Sequence, residues 1–371
     1  MSDVEEDDCE ELPEGLVQRR AAFDIGSGAT KLMIADVDVE TGQLGDIVHA
    51  SERTVKYPYD GVLSDAVQAE GIKVLHALRT AVLASGCTAY TAVATEVFRK
   101  APNGAAFLQR VCAELGLEIA LVSQEEEAQI GFRTAVAVGQ RGRAATLAWD
   151  SGSGSFQLSR EVAAGEAGAP PGLRTYVGAL GASVATAAMI EHVQKRRLAS
   201  PTASPNPASR EEAQLLVAHC RAQLETPPPW LRGAALATAI GGANSIFRCV
   251  EQVTHDLDPA AAAAAAAAGA PPGRFGVAAV RAALEACCGL TDAALAEKGH
   301  VEAPMVVPKL CLLLAVLEAC GLQEFEYVPT TGSCAGLLVS NERFEGAKET
   351  TNGGASRGLR ESVNEARRQF G

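Results

Sequence analysis

Two short stretches, "DIGSGATK" at 24–31 and "DSGSGSFQ" at 150–157, place the same Asp-x-Gly-Ser-Gly pattern in each half of the chain. Each follows an apolar run, "AAF" before the first and "ATLAW" before the second, so each reads as a strand that ends in an Asp and turns through glycines. A repeat with this layout points to two related half-domains facing one ligand. The chain's 371 residues exceed what one hydrophobic core usually fills, which agrees with two domains.

Charge narrows the partners. The net charge of −13 gives no long-range attraction for nucleic acid, so none is expected as a partner. Eight acids and no base lie in "MSDVEEDDCEELPE", the reverse of a secretory signal or transit peptide. Residues 1–18 therefore read as a disordered acidic tail on a cytoplasmic protein. No run approaches 18 strongly apolar residues, so no membrane span is expected. Ten cysteines show no Cys-x-x-Cys spacing, and the six histidines do not pair with them as zinc ligands would. They read as thiols in a reducing compartment.

The order of elements gives the fold class. Strands are expected at 20–26, 31–39 and within 45–58, followed by a helix over 64–84 whose apolar residues keep helical spacing. Strand 87–95, helix 104–115, strand 117–123 and helix 124–138 continue the pattern. A connector at 140–144 leads to a second strand, glycine turn and strand, then a helix near 182–196. Further on come a strand, Gly-Gly turn and helix start over 234–250, a helix over 306–320 and a strand over 324–329. This is α/β, with an N-terminal domain over 19–140 and a second domain over 141–343. The Pro/Ser stretch near 198–209 and the Ala-rich stretch near 258–273 read as low-complexity insertions in surface loops. Ser209 and Glu212 have the spacing of a capping box. Residues 344–371 read as a polar tail or a crossover helix.

Three segments carry candidate chemistry. Glycines let the backbone approach a phosphate closely. Asp24 suits a divalent cation, and Ser27, Thr30 and Lys31 suit phosphate oxygens. Asp150, Gly152, Gly154 and Ser155 repeat that arrangement, so two Asp-led hairpins would clamp phosphates with a metal between them. In "VSQEEEAQ" (122–129), Ser123 and Glu126 form a second capping box. Successive helical residues point about 100° apart, so only one or two of Glu125, Glu126 and Glu127 can face a cleft as a general base.

In order and spacing, "AAFDIGSGATKLMIADVD", "AVATEVFRKAPNGAAFL", "LVSQEEEAQIGFRTAV", "LAWDSGSGSFQL" and "AIGGANSIF" resemble the motifs of the exopolyphosphatase/guanosine pentaphosphate phosphatase (Ppx/GppA) family, over roughly residues 20–340. The resemblance implies two duplicated ribonuclease-H-like domains of the actin and sugar-kinase type with an interdomain cleft. It implies hydrolysis of a terminal phosphoanhydride, in inorganic polyphosphate or guanosine pentaphosphate, with Mg²⁺ or a similar ion. Glu127 matches the catalytic base, and Arg99 of "TEVFR" matches an arginine that neutralises charge in the transition state. Asp24 and Asp150 match the acids of the two loops. Phosphate-binding positions are Gly26, Ser27, Gly28, Thr30, Lys31, Gly152, Ser153, Gly154 and Ser155. Family members often dimerise, so a homodimer carries over as an expectation.

The chain also departs from that pattern. The first loop usually reads Gly-Ser-Asn-Ser, and here is Gly26-Ser27-Gly28-Ala29. Ser153 replaces the middle glycine of the second loop, and Gln157 replaces its glutamate. Cys334-Ala335-Gly336 stands where Arg-Glu-Gly is usual. These changes leave a non-catalytic nucleotide or polyphosphate sensor as the alternative to a hydrolase. An ATP-dependent small-molecule kinase is a third reading, with "GGANS" (241–245) as its adenosine turn.

Overall fold

The computed structural model describes residues 17–344 apart from 59–60, 88, 140, 166–170, 199–202, 232–235 and 269–272. The expectations for residues 1–16 and 345–371 lie outside the described residues. Strands β1 (Val17–Ile25), β2 (Ala29–Asp38), β3 (Leu44–Thr54), β4 (Ala89–Ala94) and β5 (Ala120–Leu121) form one sheet in the order β3-β2-β1-β4-β5. Strands β6 (Leu147–Ser151), β7 (Phe156–Val162), β8 (Gly172–Gly178), β9 (Leu236–Gly241), β10 (Arg274–Gly276) and β11 (Glu324–Pro329) form the other, in the order β10-β11-β9-β6-β7-β8. Apart from the short edge strand β10, the two sheets are alike. Each has a three-stranded antiparallel meander whose first strand is joined on its other side by two parallel strands. This is the duplicated α/β fold of the actin type that the motifs implied.

Helices cover the sheets. In the first half they are α1 (Asp65–Ala84), α2 (Glu96–Lys100), α3 (Gly104–Leu115) and α4 (Gln124–Val138). The second half adds α5 (Ala182–Ala188), α6 (Arg210–Gln223), α7 (Ile246–Leu257), α8 (Pro259–Ala267), α9 (Val277–Cys287), α10 (Asp292–Glu297), α11 (Val306–Cys320) and α12 (Cys334–Leu338). On one face of the first sheet, Phe23 joins Tyr57, Phe98 and Phe107 under α1 and α3. In the second unit, Trp149 stands edge-on to Phe247 and Phe325 at 5.1 and 5.5 Å between ring centres. Beside them α11 is buried on nearly every side. The stretch Ala303–Cys320 is long and apolar enough to cross a membrane, but 78% of it is buried inside the protein, as a core helix is.

The remaining faces of the two sheets share one filling. Ile130 of α4, with Cys334, Ala335, Leu337 and Leu338 of α12, packs on Ala22, Met33 and Val93 of the first sheet. From the same α4, Phe132 and Ala135 pack on Ala148 and Ile240 of the second. Gly336 makes this possible, since a Cβ there would lie 2.3 Å from the Ile130 carbonyl oxygen. The Gly336 N–H donates to Thr134 Oγ1 at 3.0 Å. Buried Arg20 of β1 then donates to Leu338 O and Asn341 Oδ1 and lies over the Phe344 ring. Helix α12, which the sequence reading assigns to the second domain, thus packs on the first sheet.

Several local expectations change. Strand β1 begins at Val17, inside the stretch read as tail. The strand expected over 117–123 shrinks to Ala120–Leu121. The Ala-rich stretch forms helix α8 over Pro259–Ala267 rather than a loop. Alanine has the highest helix propensity, Pro259 sits in the first turn where its missing N–H costs nothing, and Asp258 caps Ala261 N at 3.0 Å. The Pro/Ser stretch is part of the fold over 203–209. Asn206 bonds Asp292 and the Ala303 carbonyl, and Ala208 is fully buried. Strands β8 and β10 and helices α9 and α10 were not read from the sequence.

Gly336→Val should destabilise the protein by about 1–3 kcal/mol through overpacking at the α4–α12 contact. The midpoint of urea unfolding reads this, and an unchanged midpoint would mean that α12 is not held there.

Candidate active site

The two Asp-led turns are built alike. In the first, Gly26 N–H donates to Ala29 O at 3.0 Å; in the second, Gly152 N–H donates to Ser155 O at 2.9 Å. The register pairs Asp24 with Lys31 across β1 and β2, and Asp150 with Gln157 across β6 and β7. Paired residues of an antiparallel ladder share a face. Lys31 Nζ lies 3.8 Å from Asp24 Oδ2. Gln157 is buried, and its Nε2 donates to Ser155 Oγ at 3.1 Å. A cation in the first hairpin is thus replaced by a neutral amide in the second.

Strand alternation also corrects one assignment. Thr30 neighbours Lys31 and so takes the opposite face, where it is fully buried and out of reach of a ligand in the cleft. Ser27 and Gly28 remain accessible at the tip of the first turn. The second turn is held from behind by the start of α5. Ala182 N–H donates to Gly152 O and Ser183 N–H to Ser153 O, while the Ser153 and Ser183 hydroxyls bond each other. Gly181 lets this approach happen, since a Cβ there would lie 2.3 Å from the Ser153 carbonyl carbon.

Helix α4 brings the third group. Ser123 accepts from Glu126 N–H, and the Glu126 carboxylate returns to Ser123 N–H at 2.8 Å, so Glu126 is used in the cap. Glu125 is exposed. Glu127 turns inward and receives Arg99 Nη2 at 3.0 Å, while Arg99 Nη1 donates to Val122 O. One turn along the same helix, a Cβ on Gly131 would lie 3.4 Å from Asp150 Oδ2. The sequence-predicted Asp24, Lys31, Arg99, Glu127 and Asp150 therefore come together at the junction of the sheets.

Burial sets their proton affinities. It pushes the Glu127 carboxyl up to about 7 against the pull of Arg99, with Asp150 and Asp24 adding to the rise. Burial likewise lifts Asp150 to about 6, opposed by Lys31 and assisted by Asp24. For Lys31, burial alone would lower the ammonium's pKa, but Asp24, Glu52 and Asp150 more than reverse this and raise it.

Two features escaped the sequence reading. The Thr330–Ser333 turn enters the site, where Ser333 N–H donates to Asp24 Oδ2 at 2.9 Å. Gly332 sits there with φ +55°, in space where a Cβ would lie 2.2 Å from Asp24 Oδ2. Glu52 of β3 is the other, placed on the cleft face by its register with Lys31. The glycine and serine of "TTGSCAG" were the only signal for the first. For Glu52 there was none short of knowing the β2–β3 register.

Among the described residues, no three His, Cys, Asp or Glu side chains group closely enough to enclose a metal unaided. Asp24 and Asp150 offer hard oxygen donors. That set fits an Mg²⁺-like ion, which normally takes much of its shell from water and substrate phosphate.

Comparison with known proteins places this geometry. Residues 37–165 match the sequence model of the Ppx/GppA phosphatase family, a span that includes Arg99, Glu127 and the Asp150 turn. The chain is similar in structure to the Ppx/GppA enzyme of Aquifex aeolicus, with 19% identity and a TM-score of 0.62, covering 87% of this chain and 99% of that one. It is also similar to an exopolyphosphatase from Cytophaga hutchinsonii, with 14% identity, 87% and 97% coverage and a TM-score of 0.65. Nucleoside triphosphate hydrolases from Neospora caninum share the fold at 10% identity, 93% and 95% coverage and a TM-score of 0.51. No curated protein matches the chain. The family resemblance read from the motifs is borne out over residues 37–165, and the structural likenesses show the two-domain fold.

Because the folded protein holds the Glu127 proton up to about 7 and an unfolded glutamate releases it near 4.5, this group's contribution to stability falls as pH rises between those values. Arg99 opposes the rise. Arg99→Met should therefore move the Glu127 titration above 7, read by NMR of ¹³C-labelled glutamate. A titration that stays in place would mean that the ion pair does not form.

Proposed function

We propose that this chain, with its Ppx/GppA signature and fold, is a phosphohydrolase that removes the terminal phosphoryl group of inorganic polyphosphate or guanosine pentaphosphate. The observation that carries the reading is Glu127, a half-buried carboxyl turned inward and held by Arg99 at 3.0 Å in the same cleft as the two Asp-led turns. A base titrating at about 7 accepts a proton from water at physiological pH and is half ionised there before substrate arrives. The water oxygen bonds to the terminal phosphorus, the bridging P–O bond breaks, and the shortened chain leaves with the bridging oxygen. Glu127 receives the proton. Arg99 fixes Glu127 and offers positive charge beside it, while Lys31 and the turns at 26–28 and 152–155 receive the phosphate oxygens. Asp24 and Asp150 would hold a divalent cation, which when bound supplies charge neutralisation to the phosphates. The nine described cysteines are unpaired, which suits the reducing conditions of the cytoplasm.

Gln157 favours a second reading. It stands where the family has a carboxylate, and its amide is already engaged by Ser155. A cleft lacking that acid would bind the same ligands as a sensor without turning them over.

The decisive assay is phosphate release with Mg²⁺ from short polyphosphate, long polyphosphate and guanosine pentaphosphate. Release should rise with pH through about 7, as Glu127 loses its proton. Glu127→Gln should lower it by roughly 10²–10⁴-fold with thermal unfolding intact, the usual contribution of a positioned base. Full turnover in that variant would remove Glu127 from the role. Binding without release in the parent protein would favour the sensor.

A further inference from the structure

Glu52 has no part in the chemistry above, yet it occupies one side of the same cleft. It lies on β3 directly across from Lys31 in the β2–β3 register, so both side chains stand on one face. Its carboxylate crosses to the second unit. A Cβ on Gly242 would lie 2.5 Å from Glu52 Oε2, and Asn244 Nδ2 donates weakly to Oε1 at 3.5 Å. The turn it meets is rigid. Tyr327 Oη donates to Gly241 O at 3.0 Å, Thr330 N–H donates to the same oxygen at 2.9 Å, and buried Lys309 donates to Asn244 O at 2.7 Å.

Charge around Glu52 is only partly balanced. Lys309 is matched by Glu302 at 2.8 Å, and Lys31, which feels Glu52 across the ladder, is shared with Asp24 at 3.8 Å. Among the described residues Glu52 forms no ion pair within 4 Å. A substrate running from Lys31 toward the 241–245 turn would thus meet a carboxylate with one weak amide contact and only a share in Lys31.

That arrangement discriminates by chemistry. Each further phosphate unit would bring another negative charge toward Glu52, a repulsive element of the kind that excludes wrong ligands. Sugar hydroxyls and base amino groups are donors, which a carboxylate accepts. We propose that Glu52 is a specificity-determining residue that excludes long inorganic polyphosphate and admits substrates whose non-reacting end is a nucleoside. The proposal rests on the phosphohydrolase reading for its substrates, but its own observable is a ratio between ligands.

Glu52→Gln should raise the ratio of kcat/KM for long polyphosphate to kcat/KM for guanosine pentaphosphate by about tenfold, the scale of one like-charge contact in a partly solvated cleft. Glu52→Lys should move it further in the same direction. The same ratio is then read as equilibrium Kd values for the two ligands, which needs no turnover. Release that proceeds with an unmoved ratio in both variants would overturn the role of Glu52 and leave the hydrolase reading intact. Absent release with a shifted Kd ratio would discard the hydrolase and keep Glu52 as the selector.

Discussion

One helix serves two sheets, and most of the site follows from that. α4 presents Ile130 to the first sheet and Phe132 and Ala135 to the second, so its position fixes the relation between the halves. The contact with α12 that holds it needs Gly336, because any side chain there would enter the Ile130 carbonyl. Along the same helix the first turn carries Glu127 and the next brings Gly131 against Asp150. The N-terminal side of α12 delivers Ser333 N–H to Asp24. Groups from both hairpins are therefore positioned through a single packed element. A shift of α4 would move Glu127 relative to Asp24 and Asp150 at once.

The duplication is close in backbone and broken in charge. Equivalent bonds close both turns, and equivalent register pairs place a residue opposite each Asp. In the first hairpin that residue is Lys31, which gives Asp24 a counter-ion. In the second it is Gln157, so Asp150 has no cation across its own ladder and draws on Lys31 from the other half. This asymmetry lets burial lift Asp150 to about 6. Two turns of one backbone design thus present different charges to whatever lies between them.

The sequence made the hairpins legible because their signal is local. Asp, Gly-Ser-Gly and a following strand occupy eight residues, and the capping boxes at Ser123 and Ser209 need only four. The assignment of Thr30 failed for a reason of similar scale. Its hydroxyl suits phosphate, but alternation along β2 sends it to the face opposite Lys31. Glu52, Gly332, Ser333 and Gly336 were hidden differently. Each acquires meaning only from a residue far along the chain: Gly242 for Glu52, Asp24 for the 332–333 turn, Ile130 for Gly336. The Ala-rich stretch shows the converse. Read as low complexity it looked like a loop, although alanine propensity with an Asp cap and an N-terminal proline is enough for a helix.

Charge in the cleft bears on what must accompany an anionic ligand. Asp24, Glu52, Glu127 and Asp150 contribute four carboxyls, against the cations of Lys31 and Arg99. Part of the imbalance is relieved by protons, since Glu127 and Asp150 both hold theirs more tightly than in water. Bringing in phosphates would add negative charge at short range and tighten those protons further, which works against the ionised Glu127 that the proposed mechanism needs. A divalent cation held by Asp24 and Asp150 would remove that conflict, because it would neutralise the ligand and lower the proton affinity of neighbouring carboxyls together. Under the proposed hydrolase reading, such a cation would serve Glu127 as much as the substrate.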